Sequence, residues 1–218
     1  EAAVALKDVE KIAGILFRAF GGDPGLKVAA ATAEEHGARR TLLQRIAGSQ
    51  EKATLARLDA ETLRLPPEIA AYPEKSLNRD LYLWLAALAA SDNAPQLPWH
   101  LRNQQATRAA LRDFPGLQPR YKRLVEAHLA LRIPPEGMAP DEARQETALR
   151  QALSDPGSTT ELPPLCRRES RPPQPIPLWL VSAPTGEAVP VGDQDGALPP
   201  EGGGSEAGRP QAHKGEKV

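Results

Sequence analysis

The sequence predicts a mainly α-helical domain with a small β element: antiparallel helices plus a two- or three-stranded sheet near residues 26–65, followed by a disordered tail. Three observations carry that prediction. Apolar residues recur at spacings of three and four over several stretches, the period of a helix with one buried face. Between residues 26 and 65 this period gives way to short apolar runs and partial alternation, as strands require. After Ser158, Pro, Gly, Ser and charge take over. Such a segment has too little to bury to offset the roughly 1–2 kcal/mol per residue lost in ordering its backbone.

The first helix is predicted over Ala2–Phe20, where Leu6, Val9, Ala13, Leu16 and Phe20 share a face and Gly21-Gly22 stops it. Leu26–Ala31 is short and apolar, Thr41–Ile46 is mixed, and Ala53–Leu65 alternates in part through Leu63, Arg64 and Leu65. Breaks at Gly37, Gly48-Ser49 and Pro66-Pro67 divide these into two or three strands, although Arg39–Gly48 reads equally well as a helix. Ser76–Ala90 is a helix with Leu77, Leu81, Trp84, Leu85 and Leu88 on one face. Ser76 or Asn78 is its expected cap, since a side-chain oxygen there accepts from an orphan N–H. Further helices are predicted over Trp99–Asp113, Leu117–Arg132 and from Pro140 to Leu153. Pro140 suits a first turn, and Asp141 and Glu142 complement its positive end. The short breaks between these helices imply antiparallel packing. The predicted organisation is a helical domain over 1–157 and a Pro/Gly-rich linker over 158–218, with one ordered apolar island at 176–181.

Composition excludes several functions. A net charge of −1 with interspersed signs leaves no basic stripe for nucleic acid. The most apolar run, Leu81–Ala90, falls short of the roughly 20 residues that cross a bilayer. The single Cys166 cannot form an internal disulfide and fits a reducing cytoplasm. Opening at Glu1 inside a helical pattern, the chain reads as a fragment whose start lies upstream.

No residue pattern specifies an active site. His36, His100, His128 and His213 form no HExxH or HxxxH pair, and Cys166 has no CxxC partner. His128 reads as a satisfied core or boundary histidine. Glu34-Glu35-His36 reads as a solvated turn. Cys166 lies beside Arg167 and Arg168, which favour a thiolate, but it has no companion histidine. Gly21–Gly25 is not a phosphate-binding loop, and Asp193–Gly196 lacks the glutamate of a calcium loop. Arg39-Arg40, Arg167-Arg168 and Lys122-Arg123 read as solvated faces, and Asn78-Arg79-Asp80 as capping with a local ion pair. The expected catalytic, cofactor and metal residues are therefore none, and the residues alone describe an interaction module.

Asn78-Arg79-Asp80 followed by Leu81–Ala90 resembles the bacterial nitric oxide reductase activation proteins and their Rubisco-activating relatives, the NorD/CbbO type. So do Trp99 with Asn103 and Thr107, Phe114–Leu117, Arg120-Tyr121, Pro175–Leu180, Gly21–Val28 and His36–Arg40, over roughly Glu1–Leu180. The resemblance implies a non-catalytic adaptor that partners a MoxR-type AAA+ ATPase hexamer. It also implies a target enzyme, nitric oxide reductase or Rubisco, and a von Willebrand factor A domain whose Asp-x-Ser-x-Ser metal motif is absent from this chain. An unrelated helical docking domain would carry the same periodicity.

Overall fold

The computed structural model describes residues 2–31, 55–59, 61–167 and 169–181. In chain order these form Val4–Ala5 (β1), Leu6–Ala19 (α1), Lys27–Ala30 (β2), Arg57–Leu58 (β3), Thr62–Leu65 (β4), Glu68–Ile69 (β5), Lys75–Ala90 (α2), Trp99–Asp113 (α3), Gln118–Leu131 (α4) and Pro140–Ser154 (α5). A single 3-10 turn, Pro115–Leu117, joins α3 to α4. The mainly α architecture with a small β element is the one predicted from the sequence.

Helix α2 is the axis of the fold. Every residue from Leu81 to Ala89 is buried, so both the leucine face and the alanine faces are covered, as expected of a helix apolar on all sides. It packs against α1, α3 and α4. Ala86, Ala87 and Ala89 let those neighbours approach closely. Trp84 is fully buried with its ring 4.6 Å from that of Tyr121 on α4. One continuous core joins Val4, Phe17, Leu63, Trp84, Leu124, Leu149 and Trp179.

The three-stranded sheet has the order β2-β4-β3, with β2 parallel and β3 antiparallel to β4. Alternation sets its faces: Leu63 and Leu65 are fully buried, while Arg64 turns outward to the Asp59 carboxylate, which also accepts from Arg57. The turn after α1 needs both its glycines. Gly21 has φ +90, and a Cβ on Gly22 would stand 2.5 Å from the Phe17 ring.

Three details correct the sequence reading. The first helix starts at Leu6 instead of Ala2, because Val4–Ala5 pairs antiparallel with Glu68–Ile69 and the Leu6 N–H donates to the Pro67 carbonyl at 2.8 Å. Neither Ser76 nor Asn78 caps α2, which starts at Lys75 without a side-chain cap. Asn78 is instead fully buried one turn in, accepting from the Tyr72 N–H and donating to the carbonyls of Tyr72 and Ala2. Asp80 pairs at long range with Arg120 and Arg123 of α4, both at 2.9 Å.

The linker predicted from Ser158 also differs over its described part. Residues 158–167 and 169–181 run back across the helices as a strap, and the island predicted at 176–181 buries Ile176, Leu178, Trp179 and Leu180. Val181 forms a parallel bridge with Arg57. Thr41–Ile46, the Arg39–Gly48 alternative and the tail beyond Val181 lie outside the described residues.

Candidate functional site

Proline explains how the strap is held. Seven prolines fall between Pro156 and Pro177, and each lacks an N–H, so the segment cannot join a sheet ladder. Its remaining backbone groups still need partners once buried. Side chains from the helices supply them. Gln104 on α3 accepts from the N–H groups of Gly157 and Thr159 at 2.9 and 3.3 Å and donates to the Thr159 carbonyl at 2.8 Å. Asn103, one residue earlier, donates to the Leu180 carbonyl and accepts from its N–H at 2.9 and 2.7 Å, as a neighbouring strand would. The Trp84 indole donates to the Leu178 carbonyl at 2.9 Å. Trp99 meets Trp179 edge-on at 5.1 Å.

Two ionic clusters pin the middle of the strap. Asp141, in the first turn of α5, accepts from the N–H groups of Cys166 and Arg167 and from the Ser170 hydroxyl. The Ser170 bond, reinforced by these N–H groups, holds the Asp141 carboxyl well below the usual range. Arg132, at the end of α4, forms a buried two-point ion pair with Glu146 of α5 and donates to the carbonyls of Gln174 and Pro175. Arg150 shares the Glu146 carboxylate at 2.9 Å. His128 lies 3.2 Å from Arg132 in this cluster. Burial, then the positive charges of Arg132 and Arg150, lower its pKa to about 3, so the ring is neutral at physiological pH.

Beside this clasp lies a half-open groove of about 190 Å³ between the α4–α5 turn and the strap. Ile133, Met138, Pro172 and Pro173 line it, with Glu136, Glu142 and Arg171 around them. Leu131 and Ile133 are 56% and 52% exposed, and the other two exposed large hydrophobic residues among the described ones, Ile12 and Ile15, lie on α1. Sequence periodicity passes over Ile133, because Pro134-Pro135 and Gly137 follow it and end the helical pattern there. The available signal was two large apolar residues, Leu131 and Ile133, on either side of a helix end.

Among the described residues, those considered for chemistry form no shared cluster. His100 sits on α3, His128 is consumed by the clasp, and Cys166 is exposed on the strap with its thiol 3.6 Å from the Pro164 carbonyl. Glu34, Glu35, His36, His213, Arg39, Arg40, Arg168 and Asp193–Gly196 lie outside the described residues. Among the described residues, no three side chains of His, Cys, Asp or Glu gather as metal ligands, and no helix is long and apolar enough to cross a membrane.

Comparison with known proteins identifies the relatives. The chain is 44% identical over 209 residues to Protein NorD of Stutzerimonas stutzeri, covering 93% of this chain and 33% of that protein. Protein NorD of Brucella abortus is 37% identical over 229 residues, covering 97% of this chain and 36% of the relative. The chain is homologous to the NorD proteins. An uncharacterized protein of Pseudomonas aeruginosa is 45% identical over 179 residues, 82% of this chain and 28% of that protein. The chain spans about a third of the length of these NorD relatives. No family model and no solved structure matches it.

The NorD-like wording noted in the sequence falls on the core and on contacts that hold the two ends of the described chain to it. Asn78 ties the start of α2 to the N-terminal segment, Asp80 meets Arg120, and Trp84 stacks near Tyr121 and binds Leu178. Trp99 meets Trp179, Asn103 grips Leu180, and the Tyr121 hydroxyl donates to the Leu153 carbonyl at 2.7 Å. These residues build architecture.

Proposed function

We propose that this chain is the non-catalytic adaptor region of a NorD-type activation protein. It works in the cytoplasm with a MoxR-type AAA+ ATPase to mature or activate nitric oxide reductase. The homology to proteins named NorD over nearly the whole chain carries this reading, and those names favour the reductase over Rubisco as the target. The polar chemistry is consistent with an adaptor. Buried amide and charged side chains, among them Asn78, Asn103, Gln104, Arg132 and Glu146, are bonded to the chain's own backbone or to each other. A catalytic group must instead present a free donor, acceptor or nucleophile to substrate. The ATPase supplies the energy, and the metal-holding von Willebrand factor A domain belongs to the part of NorD-type proteins outside this chain.

Size-exclusion chromatography of the 218-residue chain with the cognate MoxR-type ATPase tests the reading. A co-migrating complex is expected, with no nucleotide bound by the chain alone. If only the full-length protein binds the ATPase, the contact lies elsewhere and the chain docks the target enzyme. Nucleotide binding or hydrolase activity by the isolated chain would overturn the adaptor assignment.

A further inference from the structure

The groove beside Ile133 is braced on both sides by the chain's own contacts. Arg132 fixes one wall to the other through Glu146 and the Gln174 and Pro175 carbonyls, and the Gln174 side chain accepts from the Ile133 N–H at 3.0 Å. Pro134-Pro135 and Pro172-Pro173 stiffen both edges. A preformed site avoids part of the ordering cost of association. Size then decides what fits. About 190 Å³ is below the roughly 300–1,000 Å³ of small-molecule and cofactor sites, but it accommodates one large apolar side chain.

Charge decides what lies next to that side chain. Arg132 and Arg150 are directed into Glu146 and backbone carbonyls, so Glu146 is neutralised within the wall. The charges at the mouth are Glu136, Glu142 and Arg171. Among the described residues neither Glu136 nor Glu142 has an ion-pair partner, and Glu142 accepts only the Arg171 N–H. Two carboxylates against one guanidinium suit a basic neighbour.

We propose that this groove docks a segment of a partner protein that inserts a large apolar side chain and carries a lysine or arginine beside it. The proposal rests on the adaptor reading and gives it a surface. Ile133 is the apolar floor, Met138 and the Pro172-Pro173 edge are the walls, and Glu136 and Glu142 receive the cation.

Panning a random peptide display library against the 218-residue chain tests this, with Ile133→Glu, Glu136→Lys and Ile15→Glu as parallel targets. All three positions are exposed, and circular dichroism melts check that each variant folds. Enriched sequences should pair Lys or Arg with a large apolar residue. The Kd of a synthetic version should rise at least about tenfold for Ile133→Glu, as when an interface anchor is lost. Glu136→Lys should weaken it less and flatten its salt dependence, while Ile15→Glu, on the other exposed apolar pair, should leave it unchanged. Failure to enrich such sequences, or binding indifferent to Ile133→Glu, overturns the docking site. Self-association that Ile133→Glu abolishes in sedimentation velocity also overturns it, because the occupant is then a second copy of this chain. The adaptor reading is scored separately. Peptide binding at the groove with no co-migration of ATPase or target enzyme would leave the docking site standing and remove the adaptor assignment. Co-migration together with failed panning would do the reverse.

Discussion

Trp84 does three things from one position: it fills the centre of the core, stacks near Tyr121, and donates its indole N–H to the strap at Leu178. Trp84→Ala should destabilise by about 3–5 kcal/mol, the usual cost of truncating a core aromatic. Trp84→Phe keeps most of the volume but leaves the Leu178 carbonyl without its donor, so a smaller loss of about 1–3 kcal/mol is expected. Chemical denaturation of the two variants measures both. His128 makes the chain sensitive to acid. Its pKa is lowered on folding, from about 6.5 to about 3, so below the ordinary histidine value the unfolded chain binds the extra proton. Stability is then fully present above about pH 6.5 and is lost towards pH 3, by up to about 1.4 kcal/mol per pH unit. The charges facing the ring act together: Arg132 and Arg150 oppose its protonation, and Glu146 is already occupied by both. His128→Gln should flatten the stability profile between pH 6.5 and 4, leaving Asp141, whose carboxyl is held low, to titrate below that.

The helices were legible in the sequence because a helix declares itself within a few residues of its own chain. Leu63 and Leu65 declared β4 in the same local way, by alternation about Arg64. The strand at Val4–Ala5 could not be read so, since two residues have no period and their partner is Glu68–Ile69. Asn78 misled for a related reason: a local rule fits asparagine near a helix start, whereas one of its acceptors, Ala2, lies at the far end of the sheet-forming region. The strap is the clearest case. Its composition is that of a linker, and its ordering is compensated by Asn103, Gln104 and Asp141 on other elements, which no window along residues 158–181 contains. The groove was illegible as well, because it exists only once the strap lies against the α4–α5 turn. The strap should therefore be indispensable to the helices. Each fully buried large apolar side chain contributes about 1.5–3 kcal/mol, and Ile176, Leu178, Trp179 and Leu180 are all buried. Their joint loss is comparable with the roughly 5–15 kcal/mol that holds a domain together. A chain ended after Pro175 should lose its cooperative thermal transition, and retention of that transition would show the strap to be dispensable.

Across the whole molecule, residues from both ends of the described chain meet in one core, with Val4 and Leu180 in the same apolar cluster. That closure has a consequence during synthesis. Helix α5 is complete at Ser154, but the core acquires Trp179 and Leu180 only after a further stretch has left the ribosome. At about 5–20 residues per second this is a delay of roughly one to five seconds, in addition to the residues still held in the exit tunnel. For that interval α2 and α3 present to the cell the apolar surface that the strap will cover. Until the strap arrives, that surface is open to whatever apolar surface the nascent chain meets. The core is closed by the arrival of a proline-rich segment that needs little searching, because proline has already narrowed the conformations open to it.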